Sequence, residues 1–175
     1  MELKIEIIAD ADLQEELRRI VDQWTADSFF EQAFFTPDYK WAKPDWHVLV
    51  WVGDQVVSCL KVIERTGTVG GHPVKMAGVG DVVTPPPLRR RGYASAAVKA
   101  ASAFICEKLD AEFGVLMCEE HLVHFYARYG WQRVPEPLQF DEPWGKVTSP
   151  EVTMVLPCRG QEWPDGPIDL CGLPW

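Results

Sequence analysis

The sequence predicts an α/β fold, a central mixed β-sheet with helices on its faces, and three observations predict it. Residues 46–84 form a long β-branched and aromatic run, broken by two short glycine turns, which reads as a three-strand meander. A strong helical repeat follows over Gly92 to Leu109. After it come an apolar run, a short helical segment and two more β-type runs. Strand–helix–strand after a meander mixes parallel with antiparallel pairing and leaves helices to cover the sheet.

The elements follow in order. Glu2 to Ile8 alternates in part and reads as a strand. A helix follows, with Asp12 and Glu15 at capping-box spacing and Leu13, Leu17, Ile20, Val21 and Trp24 on one face. Phe29, Phe30, Phe34 and Phe35 suggest a second short helix, which Pro37 breaks, and Pro44 closes the region. Trp46 to Val52 and Gln55 to Val69 are strands joined by the hairpin turn Gly53-Asp54. Gly70-Gly71-His72 turns the chain into a third strand, Pro73 to Thr84, which Pro85-Pro86-Pro87 ends. In the helix from Gly92, residues Ala94, Ala97, Val98, Ala101, Ile105 and Leu109 recur at helical spacing. Glu112 to Cys118 is a buried strand, and His121 to Tyr129 is a short helix stopped by Gly130. Trp131 to Val134 and Glu151 to Leu156 are late strands, and the Pro- and Gly-rich stretch from Pro157 to Trp175 reads as packed loop.

The 175 residues suit one domain across 1–175, large enough for a core without staples. At 47% hydrophobic and 25% charged the composition is that of a globular protein. No segment approaches the ~20 apolar residues of a membrane helix, and Met1 to Ile5 has no basic-then-apolar signal pattern; a cytoplasmic protein is expected. A net charge of −9 argues against nucleic acid as partner. The five cysteines, Cys59, Cys106, Cys118, Cys158 and Cys171, include no CxxC pair, so reduced, partly buried thiols are expected and no zinc site. His121 and His124 stand three apart without a third ligand, and no metal is expected.

The chemistry concentrates in Val79 to Val98, VGDVVTPPPLRRRGYASAAV. A strand ends, a tight loop follows and a helix begins at Gly92. Free amides at a helix start, aided by the helix dipole, bind anions. Gly92 and the small Ala94 let a phosphate approach the backbone, and Arg89, Arg90 and Arg91 add charge and paired donors. Such a loop fits a pyrophosphate. It contains neither a Walker loop nor the Rossmann glycine pattern. The ordinary alternative for the arginine run is a solvated basic face.

Arg89, Arg90, Arg91, Gly92, Tyr93 and Ala94 resemble the signature of the GNAT N-acetyltransferase superfamily: Arg or Gln, two residues, Gly, one residue, Gly or Ala. HFYARYGW, His124 to Trp131, resembles the family's later helix, which carries a tyrosine shortly before Gly-Phe or Gly-Trp. A helix and a strand separate the two, as in the family. The tail WPDGPIDLCGLPW, Trp163 to Trp175, looks like those of the aminoglycoside 2′-N-acetyltransferases and the nodulation N-acyltransferases, which act on amines of sugars.

The resemblance implies the GNAT fold, acetyl-CoA as co-substrate bound by Arg89 to Ser95, and a primary amine on a small cationic acceptor, with an amino sugar as the leading class. It implies that Val82, Val83 and Thr84 offer free backbone groups to pantetheine, with an amide, that of Val83 by preference, holding the thioester oxygen. Tyr126 takes the position of the general acid, and Asp81 is the nearest acid for the base. The family's acid on that strand aligns with Gly80, and a β-bulge would reconcile the offset. Glu119 stands where many members place an asparagine on pantetheine, and Leu173 near an acid of the aminoglycoside enzymes. Core packing is the competing reading for Val82, Val83 and Tyr126, and a helix-end or surface role for His121 and His124. Trp41, Trp46 and Trp175 are candidates to stack on a sugar, Trp51 to pack in the core, and the carboxylate at Trp175 to add an acidic contact. A protein or peptide acetyltransferase and a non-catalytic acyl-CoA-binding sensor are the alternatives, and a homodimer is left open.

Overall fold

The structure, a computed structural model, describes residues 2–29, 34 and 36–175. It opens with β1 (Leu3–Ala9), a 3-10 turn over Asp10–Asp12 and α1 (Glu15–Phe29). The expected capping box at Asp12 and Glu15 does not form. Leu13 is extended (φ −68°, ψ 121°) and buried, and burying it pulls the chain out of helix between the two residues. The first helical bond runs from the Arg18 amide to the Gln14 carbonyl at 2.9 Å. The short helix suggested by Phe29, Phe30, Phe34 and Phe35 falls largely on residues outside those described.

The meander follows as β2 (Trp46–Val52), β3 (Gln55–Val69) and β4 (His72–Val83). Gly70 (φ +56°) and Gly71 (φ +81°) supply the left-handed pair that a tight hairpin needs. A 3-10 turn over Pro86–Leu88 leads to α2 (Tyr93–Lys108), which buries Ala97, Val98, Ala101 and Ile105 on one face. Then come β5 (Phe113–Cys118), α3 (Val123–Ala127), β6 (Gln132–Val134), β7 (Leu138–Glu142), β8 (Gly145–Thr148), β9 (Val152–Pro157) and β10 (Ile168–Asp169). The β7–β8 hairpin has no counterpart in the sequence expectations, and β10 lies in the Pro- and Gly-rich stretch that reads as loop.

The strands form one mixed sheet in the order β6-β9-β5-β4-β3-β10-β7-β8, with β2 and β1 branching from β3. The branch is possible because β3 is long. Its first half pairs with β2, while Thr68 and Val69 pair with β10. Its other edge runs along β4. The parallel β4–β5 pair has only three rungs, Met76↔Phe113, Ala77↔Gly114 and Gly78↔Val115. Beyond Gly78 the strands diverge, since β5 continues to Cys118 with β9 as its only partner among the described residues. The sheet therefore opens into a fork above the Gly78–Val115 rung.

Three apolar clusters fix the layers. On one face α2 packs on Val48, Val50, Leu60, Val62 and Val79. The other face is shared. Val21 of α1 packs with Leu49, Cys59 and Val83. The lower half holds Ile63, Met76, Phe113 and Val115 under Leu170, Trp175 and Phe140 of β7. The seam between α1 and the tail lies beside the fork.

The expectation of reduced thiols is overturned: Cys106 of α2 and Cys158 after β9 form a disulfide, and Cys59, Cys118 and Cys171 are free. Spacing could not reveal the pair, because 52 residues separate the two in sequence while the fold brings their Cα atoms to 4.7 Å. A bridge across a loop of that length contributes about 2–4 kcal/mol.

Candidate active site

The fork owes its shape to a bulge. Lys61 pairs with Gly80 and Cys59 with Val83, so β4 spends three steps where β3 spends two. The extra residue is accommodated at Asp81, in left-handed backbone at φ +49°. The bulge settles the parity that sequence leaves open. Asp81 joins Lys61, Ile63, Gly80, Trp41, Ala42 and Trp175 around a cavity of about 50 Å³ in the seam beside the fork.

Asp81 is not alone there. Its Oδ2 lies 2.9 Å from Lys61 Nζ and accepts a 3.4 Å hydrogen bond from Thr25 Oγ1 of α1. Lys61 Nζ also reaches Asp22 Oδ1 at 3.3 Å. Burial pulls the Lys61 ammonium toward a lower pKa, but the charges and hydrogen bonds of Asp81 and Asp22 outweigh it and raise the value. The ammonium therefore stays charged between two carboxylates.

Past the bulge β4 leads to the loop. Ser58, fully buried, donates its hydroxyl to the Val83 carbonyl at 2.9 Å and lies 2.8 Å from Thr84 Oγ1. That carbonyl is therefore engaged by β3, not idle. Thr84 O accepts Arg89 Nε at 2.9 Å, which closes the loop back on the strand. Arg90 (φ +63°) and Gly92 (φ +84°) are both left-handed, and α2 starts at Tyr93 without a side-chain cap. Alternating left-handed residues turn successive amides inward as an anion nest. The amides of Tyr93, Ala94 and Ser95 precede the first helical bond, Ala96 N to Gly92 O. Arg89, Arg90 and Arg91 are all exposed around this nest. A Cβ on Gly92 would meet no protein atom within 4 Å, so the space beside it is open to a ligand.

On the opposite side stands Tyr126 of α3, 6% exposed and packed in the same cluster as Cys118 at the end of β5. Its hydroxyl has no hydrogen-bond partner among the described residues. Burial, then Cys118 and Glu151, raise the phenol's pKa, so it holds its proton throughout the neutral range. Burial likewise pushes the Cys118 thiol up to about 12, which denies it a thiolate and a nucleophile's part. Glu151, just before β9, is half-buried, and burial followed by Glu119 raises its pKa. Glu119 itself is largely exposed and pairs with His121 Nδ1 at 3.1 Å; His124 is exposed as well. Trp46 is tied up in packing on Phe104 and a 2.9 Å bond to Glu64, whereas Trp41 is 46% exposed at the cavity.

The tail completes the seam. A methyl group on Gly78 would overlap the Trp175 indole, and one on Gly80 would press on the Trp175 main chain. Trp175 Nε1 donates to Val115 O at 3.3 Å, on the last rung below the fork. The Ala42 amide donates to Pro174 O at 2.8 Å, so the 41–42 segment and the tail form one wall. Sequence reading missed Lys61, Ser58, Arg65 and Glu151 as members of this neighbourhood. Gly78 and Gly80 inside a strand were the legible signal, because interior strand glycines mark close approach by another chain segment.

Residues 16–134 match the family model of the acetyltransferase (GNAT) domain. Among curated protein sequences none matches this chain. Among solved structures the chain is similar to an acyl-CoA N-acyltransferase from Pseudomonas aeruginosa (TM-score 0.61, 19% identity, over 89% of this chain and 99% of that one). It is similar to ElaA from Escherichia coli (TM-score 0.61, 16% identity, over 89% and 99%). A GNAT family acetyltransferase from Brucella melitensis, solved in complex with acetyl-CoA, gives a TM-score of 0.62 at 15% identity, over 94% of each chain. At these identities the structural likeness is one of fold.

Proposed function

The chain belongs to the GNAT acetyltransferase family, and on that premise we propose that it is an N-acetyltransferase acting on a primary amine of a small cationic molecule, with an amino sugar as the leading class. The observation that carries the reading is the fork itself, with an uncapped, arginine-ringed helix start on its β4 side and a protonated tyrosine on its β5 side. Acetyl-CoA supplies the acyl group when bound. The amides of Tyr93, Ala94 and Ser95, with Arg89, Arg90 and Arg91, fit its pyrophosphate. Val82, Val83 and Thr84 form the strand edge for pantetheine, with a backbone amide there to hold the thioester oxygen as it gains charge. Because Ser58 already engages the Val83 carbonyl, that edge relies on amides and on the neighbouring residues.

The amine attacks directly, since the raised pKa of Cys118 disfavours an acyl-cysteine. Asp81 lines the cavity on the acceptor side and serves there to orient the amine and to take its proton, directly or through water. Tyr126 donates its proton to the departing thiolate. Glu119 contributes at the rim of the pantetheine channel. The amino-sugar preference draws on the tail, which resembles those of sugar-amine acyltransferases and walls the acceptor cavity with Trp175. We place the activity in the cytoplasm, against which the Cys106–Cys158 bridge counts, since disulfides persist best in oxidising compartments; no helix among the described residues is long and apolar enough to cross a membrane. A screen of amines with acetyl-CoA, reading released thiol, tests the reading. Amine-dependent release that Tyr126→Phe suppresses supports it; acetyl-CoA binding without release for any amine leaves a non-catalytic sensor.

A further inference from the structure

Arg65 is a charged residue that neither chemistry nor an ion pair accounts for. It lies on β3 two residues beyond Ile63 and four beyond Lys61, so it shares their face of the sheet. Burial lowers its pKa, with Asp141 the largest opposing charge. No carboxylate among the described residues lies within ion-pair distance of it. Its side-chain hydrogen bond and its ring contact go to the tail instead. Arg65 Nη1 donates to the Leu173 carbonyl at 2.6 Å. The guanidinium lies 5.2 Å from the centre of the Trp175 ring. A Cβ on Gly172 would come within 3.0 Å of Arg65 Cζ, so the glycine leaves room for it.

A short charge-assisted bond to a carbonyl is stronger than a neutral one, and a guanidinium near an indole face adds cation–π attraction. The tail's other polar anchor at the fork, Trp175 Nε1 to Val115 O, is neutral and longer at 3.3 Å. Backbone bonds such as Asp141 N to Gly172 O at 2.8 Å also hold the tail, and Arg65 adds a charged anchor to them. Pro174 receives the Ala42 amide, and the Trp175 main chain lies against Gly80, so the tail borders the cavity at Asp81 beside both.

We propose that Arg65 is a positioning residue for acyl transfer: it holds Leu173 to Trp175 as the acceptor-side wall of the fork and thereby sets the fit of the amine. The inference rests on the acetyl-transfer reading for its kinetic consequence, and on geometry alone for the lock. Arg65→Met keeps the length and apolar stem and removes the charge and donors; Arg65→Lys keeps the charge and one donor. The measurements are hydrogen exchange of the 170–175 peptide, acetyl-CoA affinity by calorimetry, and steady-state kinetics with tobramycin as the probe amine. In Arg65→Met the tail amides should exchange at least tenfold faster, and KM for tobramycin should rise about fivefold or more. Acetyl-CoA affinity should stay within twofold, and Arg65→Lys should recover part of both losses. Unchanged tail exchange in Arg65→Met overturns the lock. Faster exchange with unchanged tobramycin kinetics, or equal losses for both substrates, overturns the positioning role. A wild-type protein inert toward tobramycin and every other amine sinks the acetyl-transfer reading instead, and the exchange rates still decide the lock.

Discussion

The two sides of the fork are built in different ways. The β4–α2 side is local. Val79 to Ser95 supplies the strand edge, the loop and the helix start in one uninterrupted stretch, and its donors are largely backbone amides. The seam side is assembled from α1, the 41–42 segment, β3, the β4 bulge and the tail, and its polar groups are side chains already paired with one another. A backbone nest can bind the same anion whatever surrounds it. A cavity of about 50 Å³ with an ion pair in its wall changes whenever any of five segments shifts. The difference teaches where variation can enter: the local side is fixed by one stretch of chain, and the assembled side by contacts among several.

That contrast can be broken or sharpened, beginning with the largest effect. Tyr126→Phe removes only a hydroxyl from a packed ring, so stability should hold while kcat falls roughly 10²-fold or more if proton transfer limits turnover. Full activity across pH 6–9 with a working acceptor would return Tyr126 to a core role. Gly92→Val forces a β-branched residue into φ +84° and fills the open space at the nest. Acetyl-CoA affinity should drop at least tenfold, ~1.4 kcal/mol, by calorimetry, with acceptor KM little changed. If the acceptor suffers equally, the two sides are not separable.

Gly78→Ala is the mirror test. Its methyl displaces the Trp175 indole, so acceptor KM should rise severalfold while acetyl-CoA affinity is retained; the reverse pattern would assign the tail to the cofactor side. The smallest effect concerns stability alone. His47 is buried, with Nε2 2.7 Å from Asp10 Oδ1 and no partner for Nδ1 among the described residues. Burial lowers its pKa, against the opposing pull of Asp10. A folded pKa below the unfolded value of ~6.5 means the unfolded chain binds the proton first, so stability falls as pH drops through about 6.5. Melting temperatures at pH 7.5 and 5.5 should differ, and His47→Gln should narrow the gap by about a degree or two; an unchanged gap would acquit His47.

The elements with a complete local code were legible. The α2 face, Ala97, Val98, Ala101 and Ile105, follows from its spacing, and the meander from its turns. The β7–β8 hairpin was not, because its turn, Pro143-Trp144, lacks the usual Asn-Gly or Asp-Gly signal. β10 has two residues and exists only because β3 and β7 offer edges on either side. At the site, the helix start just after Gly92 and the arginines could be read. Asp81 could be named but not aimed, since its direction depends on a bulge defined by the register against β3.

The sequence by itself determined what short-range physics dictates: periodicity, turns, an uncapped helix start behind three arginines, and a tyrosine before Gly130-Trp131. Tertiary structure alone decided the rest. It set where β4 and β5 part, brought Cys106 to Cys158, placed Lys61 against Asp22 and Asp81, and laid Arg65 over Trp175. The physical reason is range. A helix or a turn is fixed by contacts within a few residues, whereas these pairs lie 20 to 110 residues apart and exist only once burial of the shared core has brought their strands together.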